Sequence, residues 1–281
     1  MHSAEHFYYI NSPVVDMRLC PDRAAEVVSQ AIFSEQVHFF EKVGEWVKIE
    51  TVADQYTGWI KNDELHSRAN NFLENPDGLF AQVDRNAAHL YHVPDVIYGP
   101  ILTLPFESRL RLVEPLSISQ SRWLKVAMHN DMEAYIQRGD VTLLPSKILN
   151  FDEICAFIKK FLGLPYTWGG RSSFGYDCSG FVQMLYRQMG ILLPRDSKDQ
   201  CQWKGFREVY ISDLQAGDLL FFGLDIDHIK HVGMYVGDQS FINATVLENM
   251  PYVHISSMNG LEWQGNGTGK YPFRTVRRVI S

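Results

Sequence analysis

The chain has 281 residues, 46% hydrophobic and 21% charged, a composition that excludes a mainly disordered, collagen-like or mucin-like protein. At about 150 residues per domain, this length holds two domains or three small ones. The net charge of −7 argues against a dedicated nucleic-acid binder, and no apolar run approaches the roughly 18 residues that a membrane span needs.

The N-terminus, Met1-His2-Ser3-Ala4-Glu5-His6, lacks a basic segment followed by an apolar one. This predicts no signal peptide and a cytoplasmic location, with a periplasmic or secreted one if the N-terminus was trimmed. Cysteines stand at 20, 155, 178 and 201 with no Cys-x-x-Cys pair, which predicts neither a structural zinc site nor a disulfide framework. Free thiols in a reducing compartment are the simplest reading, one of them open to reaction.

The first half reads as short strands between polar turns. Val14–Arg18, Val27-Val28, Val37–Phe40, Trp46–Ile49 and Gly58–Ile60 form one series. Ala88–Tyr91, Ile101-Leu102, Leu110–Val113, Trp123–Val126 and Tyr135-Ile136 form a second, displaced by about 77 residues, which predicts an internal repeat. A Trp-hydrophobic-Lys-hydrophobic strand followed by Gly-Trp-Ile resembles bacterial SH3 domains over about 12–66 and 86–145; the second copy is degenerate, with Ala134-Tyr135 in place of Gly58-Trp59. The expected boundaries are 1–67 for the first SH3-like domain, 68–84 for a linker holding the turn Asn75-Pro76-Asp77-Gly78, and 85–145 for the second. Trp46, Trp59 and Trp123 are expected in the barrel cores.

After Pro145 the periodicity changes. Phe151, Ile154, Cys155, Ile158 and Phe161-Leu162 recur at helical spacing until Gly163 and Pro165, and a second helix runs from Cys178 to Met189 with Gly190 as its stop. Strands follow at Leu219–Phe222, His231–Val236, Ser240–Ala244 and Thr275–Ile280, so residues 146–281 are expected to form an α+β domain. The Gly169-Gly170 pair and the run Gly265-x-Gly267-x-Gly269 read as turns, since neither has the Lys-Ser/Thr and strand–helix setting of a phosphate loop.

Cys178 sits where a loop becomes a helix. The helix dipole and the free N–H groups of the first turn are expected to favour the nucleophilic thiolate, and those N–H groups suit an oxyanion. A cysteine nucleophile needs a base and a group to orient it. His231 opens a strand and Asn243 lies 12 residues later on the next, so a hairpin would bring them side by side; His228 is the rival base. Each also has a plain structural reading: a buried thiol, a surface histidine, a strand-end amide. His89, His92 and His254 are expected at the surface or an interface, and Cys20, Cys155 and Cys201 as structural thiols.

The motifs run in one order: Pro165-Tyr166-x-Trp168-Gly169-Gly170, Asp177-Cys178-Ser179-Gly180-Phe181-Val182 and Leu193-Pro194-Arg195-Asp196-Ser197-x-x-Gln200 come first. Gly217–Phe222, His231-Val232-Gly233-Met234-Tyr235 and Phe241–Ala244 follow. Over about 148–281 this text resembles the NlpC/P60 family of cysteine peptidases. The third triad position is often His there, and Asn243 departs from that.

The resemblance implies a papain-like α+β catalytic domain behind two SH3-like β-barrels, a Cys178–His231–Asn243 triad, and no metal or organic cofactor. It is similar to γ-D-glutamyl-L-diamino acid endopeptidases, which cut peptidoglycan stem peptides between D-Glu and the diamino acid, prefer a free N-terminal L-Ala, and use an SH3 domain to close one end of the cleft. This implies Asp177 for the L-Ala ammonium, Tyr56 as a substrate-contacting tyrosine, Trp168, Ser179 and Ser197 in the pocket, and Arg195 for a substrate carboxylate. Asp177 also suits a helix cap, Tyr56 a barrel core, Trp168 core packing, and Arg195 and Ser197 a solvated loop. The expected partners are stem peptides of the L-Ala-γ-D-Glu-diamino acid type, met in cell-wall recycling or turnover, with no nucleic acid. An N-acetylmuramoyl-L-alanine amidase, an acyltransferase and a non-catalytic cell-wall binder remain open; a substrate with a blocked N-terminus separates the first two from the endopeptidase, and thiol labelling of Cys178 separates the last.

Overall fold

In Val14–Arg18, Val15 and Met17 are buried and Asp16 is exposed, the period-two pattern of a strand with one face on a core. The computed structural model describes residues 6–74, 79–113, 122–260, 263 and 271–280. The chain divides into two compact units, residues 1–147 with 172–174 and residues 148–171 with 175–281.

In the first unit, β1 (Phe7–Ile10), β2 (Val14–Arg18), β3 (Val27–Ile32), β4 (Gln36–Val43), β5 (Trp46–Thr51), β6 (Thr57–Lys61) and β7 (Leu65–Arg68) form a seven-stranded sheet in the order β3-β2-β6-β5-β4-β1-β7. Then β8 (Phe80–Val83), β9 (Ala87–Tyr91), β10 (Leu102–Pro105), β11 (Arg109–Leu112), β12 (Trp123–Ala127), β13 (Glu133–Gln137) and β14 (Val141–Leu143) form a second in the order β10-β9-β13-β12-β11-β8-β14. The two orders are the same, seven strands apart. Ile10, Met17, Val47, Ile49 and Ile60 fill the first core, and Ala81, Leu90, Leu104, Val126 and Ile136 the second.

The stretch expected as a 68–84 linker contains β8, whose four residues are all buried and which pairs with β11 and β14, so the second sheet starts at Phe80 rather than at 85. The period was missed because β8 carries no polar alternation. The Asn75–Gly78 turn and the Gly265-x-Gly267-x-Gly269 run lie outside the described residues.

Both sheets share one unit because their interiors meet: Phe33, just past β3, packs in the second core. His129 is fully buried between them, its Nδ1 2.9 Å from Ser34 Oγ and its Nε2 3.2 Å from Asn11 Oδ1. Its ring stacks on Tyr9 at 5.8 Å.

In the second unit, α1 (Phe151–Phe157) starts from a capping box between Asn150 and Glu153. It runs into a 3₁₀ turn at Ile158–Phe161 before Gly163, whose φ of +83° is glycine's territory. The two-residue strands β15 (Arg171–Ser172) and β16 (Gly175–Tyr176) precede α2 (Cys178–Gln188) and α3 (Ser197–Cys201). Six strands, β17 (Phe206–Val209), β18 (Leu219–Gly223), β19 (Ile229–Gly237), β20 (Ser240–Thr245), β21 (Tyr252–Ser257) and β22 (Phe273–Val279), form an antiparallel sheet ordered β17-β22-β18-β19-β20-β21. The helix α2 packs on β19 and β20, with Phe181, Val182, Met184 and Leu185 fully buried. No helix among the described residues is long and apolar enough to cross a membrane.

Candidate active site

Asp177 has extended backbone, and its Oδ1 accepts the Gly180 N–H at 2.7 Å, which caps α2 and places Cys178 at the first helical position. Gly180 is required by close approach: a Cβ there would stand 2.3 Å from the Gly170 carbonyl oxygen. That same carbonyl accepts the Asp177 N–H at 3.0 Å, so the Gly169-Gly170 turn is bolted to the start of the helix.

Arg195 completes this corner. Its Nη1 donates to Asp177 Oδ1 at 3.0 Å and to Ser179 Oγ at 2.9 Å; its Nη2 donates to Asp177 Oδ2 at 2.6 Å and to Gly170 O at 3.3 Å. Arg195 is 2% exposed. This corrects the expectation that Arg195 waits for a substrate carboxylate: its fork is committed to a bidentate pair inside the protein. Asp177 and Ser179 are both drawn into that network, with Oδ2 of Asp177 accepting from Arg195 Nη2.

Cys178 is buried, and burial pushes its thiol up to about 12, with the Asp177 charge adding to the rise. The backbone N–H groups of Val232 and Ser179 and the Arg195 cation pull the other way. The expected thiolate preference at the helix N-terminus is therefore overturned: the helix-end donors are present, and desolvation outweighs them. The resting thiol is protonated and needs a base. The neighbouring Tyr166 phenol is held up too, by burial and by Cys178 and Asp177, and stays an O–H donor.

The sulfur's contact with Val232 puts it beside His231 in sequence. Tyr235 on β19 pairs with Phe241 on β20, so 231, 233 and 235 share a face with 241 and 243. Gly233 lies between, where a Cβ would come 2.5 Å from the Phe241 ring. His231 Nε2 stands 2.9 Å from Asn243 Oδ1. Both residues are buried. The Trp263 ring lies nearly parallel to His231, 24° off with centroids 5.0 Å apart, and Phe222 flanks the imidazole at 5.7 Å.

The structure thus brings Asp177, Cys178, Ser179 and Arg195 together at one helix end, and His231 and Asn243 together on the facing strands. His228, the rival base, is exposed and bonded to Asp225 at 2.8 Å. Trp168 is 64% exposed, so it is not core packing, and Ser197 is the partly buried first residue of α3. Tyr56 belongs to the first unit, where it packs against the first sheet's core. His89 and His92 are exposed as expected, but His254 is buried, on the inner face of β21 beside Asn243. Sequence reasoning missed Trp263 and His254. A lone Trp in a glycine-rich stretch has no periodic signal, and the polar text of β21 does not read as an inward-facing strand.

The NlpC/P60 family profile matches residues 163–270, and that of the bacterial dipeptidyl-peptidase Sh3 domain matches residues 17–65. A γ-D-glutamyl-L-lysine dipeptidyl-peptidase of Bacillus cereus is 31% identical over 249 residues, 84% of this chain and 72% of the relative. Its namesake in Bacillus subtilis is 29% identical, covering 80% of this chain and 74% of the relative. The crystal structure of an NlpC/P60 family protein from Bacillus cereus superposes with a TM-score of 0.81 at 26% identity, covering 98% of this chain and 100% of that one.

Proposed function

Since the chain belongs to the NlpC/P60 family of cysteine peptidases, we propose that it hydrolyses the γ-D-Glu–diamino acid bond of peptidoglycan stem peptides that carry a free N-terminal L-Ala. The observation that carries the chemistry is the 2.9 Å bond between His231 Nε2 and Asn243 Oδ1. The substrate class follows the names of the two Bacillus relatives.

Asn243 Oδ1 accepts from His231 Nε2, which leaves Nδ1 as the basic nitrogen of the ring. Because the thiol rests protonated, its proton passes to Nδ1 as the sulfur attacks the γ-carbonyl. The N–H groups of the first helical turn suit the developing oxyanion. The C–N bond breaks, His231 returns the proton to the leaving amine, and water releases L-Ala-D-Glu from the thioester. Stacking on Trp263 holds the ring in plane through both transfers.

For the substrate ammonium, Asp177 Oδ2 has a lone pair beyond the one Arg195 takes. With Arg195 neutralising the carboxylate, recognition rests on that directed hydrogen bond more than on net attraction. We place the reaction on released wall peptides in the cytoplasm, in keeping with four unpaired thiols.

The test is a mass-spectrometric digest of L-Ala-γ-D-Glu-diaminopimelate beside its N-acetylated form, with wild type and Cys178→Ala. Release of L-Ala-D-Glu by wild type, from the free peptide only, is expected. Equal cutting of both forms would remove Asp177 from specificity. The amidase and acyltransferase readings take over if wild type cuts neither.

A further inference from the structure

Behind Asn243 the polar contacts continue. Asn243 on β20 stands directly opposite His254 on β21, so the side chains of His254 and Ser256 share its face. Asn243 Nδ2 donates to Ser256 Oγ at 3.0 Å and to the His254 carbonyl at 3.4 Å. Ser256 Oγ lies 3.2 Å from His254 Nε2, and His254 Nδ1 lies 2.8 Å from the Tyr252 carbonyl. Asn243, Ser256 and His254 are 0%, 3% and 6% exposed.

A carbonyl oxygen only accepts, so His254 Nδ1 is the donor to Tyr252, which leaves Nε2 as the ring's acceptor toward Ser256. Ser256 then donates to that Nε2, and its oxygen receives the Asn243 N–H. The His254 carbonyl, at 3.4 Å, is a long second acceptor on the same side, so the shorter bond to Ser256 does most to keep the NH₂ of Asn243 facing β21. Oδ1 is left facing His231, whose Nε2 must therefore be the protonated nitrogen. A carboxamide is nearly symmetric in shape. Flipped, Asn243 would present NH₂ to His231 Nε2, select the opposite tautomer, and leave no acceptor for a thiol proton at Nδ1.

We propose that Ser256 and His254 are positioning residues: anchored on the Tyr252 carbonyl, they fix the direction of the Asn243 amide and through it the tautomer of His231. This rests on the reading that Cys178, His231 and Asn243 carry the chemistry.

The test is nitrogen NMR of full-length protein labelled with ¹⁵N-histidine, joined to kinetics on the free tripeptide. Wild-type His231 is expected to be protonated at Nε2. Ser256→Ala and His254→Phe should each populate the Nδ1–H tautomer and lower kcat about tenfold with KM within twofold, the size of one lost hydrogen bond. The double variant should be no slower than His254→Phe alone, since both act through one chain of bonds. Ser256→Thr, which keeps the hydroxyl, should restore kcat. The proposal is overturned by a wild-type ring protonated at Nδ1, or by variants that fold with wild-type kcat and tautomer. If Ser256→Ala does not fold, His254→Phe makes the same break one link further on. The spectrum needs no substrate, so a failure to cut the tripeptide counts against the proposed reaction and leaves the tautomer readable.

Discussion

Arg195 grips Asp177 through both carboxylate oxygens, at 3.0 and 2.6 Å, directly beneath the first turn of the helix that carries Cys178. Both groups are buried, so each charge depends on the other for its solvation. Arg195→Met, which leaves the Asp177 charge buried alone, is expected to cost about 3–5 kcal/mol of stability. The double variant Asp177→Asn/Arg195→Met should recover most of that loss, because no lone charge remains. Urea unfolding of the three proteins measures it; equal losses in the single and double variants would show that packing, not charge pairing, sets the cost.

The raised thiol predicts the pH dependence of alkylation. Cys178 moves from an ordinary value near 9 to about 12, so the thiolate is scarce at neutral pH and grows as pH rises. In His231→Ala, which lacks the base, labelling of Cys178 by iodoacetamide should climb about tenfold per pH unit from pH 7 to 10 without levelling. Peptide mass spectrometry of the Cys178 fragment reads the rate. A plateau below pH 9 would mean that the helix-end donors outweigh burial.

The buried imidazole between the first unit's sheets predicts acid sensitivity. His129 falls from an ordinary 6.5 to about 3, chiefly through burial, with His66 and Arg68 pushing the same way and Asp131 opposing. The folded chain therefore excludes a proton that the unfolded chain binds. The associated stability is present in full above pH 6.5 and is lost as pH falls toward 3, at about 1.4 kcal/mol per pH unit. In urea unfolding at pH 7, 6 and 5, His129→Phe should be less stable at pH 7 and lose less on acidification. Parallel slopes for the two proteins would assign the acid loss to other groups.

Strands such as Val14–Arg18 and the helix beginning at Cys178 were legible because their periodicity is local: alternate residues in one, residues three and four apart in the other. Cys178, His231 and Asn243 were legible because each stands in a recognisable stretch of text. The strands Phe80–Val83 and Tyr252–Ser257 were not, since one is buried without alternation and the other turns His254 and Ser256 inward. Their partners, Arg109–Leu112 and Asn243, are set by the fold. The pairing of Arg195 with Asp177 is likewise a contact across 18 residues that no spacing rule supplies. The sign of the thiol's shift was misread for a related reason: a helix end is visible in sequence, whereas the depth to which the sulfur is buried depends on β19 and its neighbours.

The two sheets of the first unit, with one strand order written twice, set a problem for the chain while it folds. A strand of one copy has the right neighbours waiting in the other, and strand exchange between such copies is a standing route to misassembly. The degenerate text of the second copy works against it. At Gly58 a Cβ would come 2.8 Å from Met17 Cβ, so Ala134, its counterpart, cannot take that place in the first sheet without displacing Met17. In that direction the degenerate copy resists exchange, because its strand carries a methyl where the first sheet leaves no room for one.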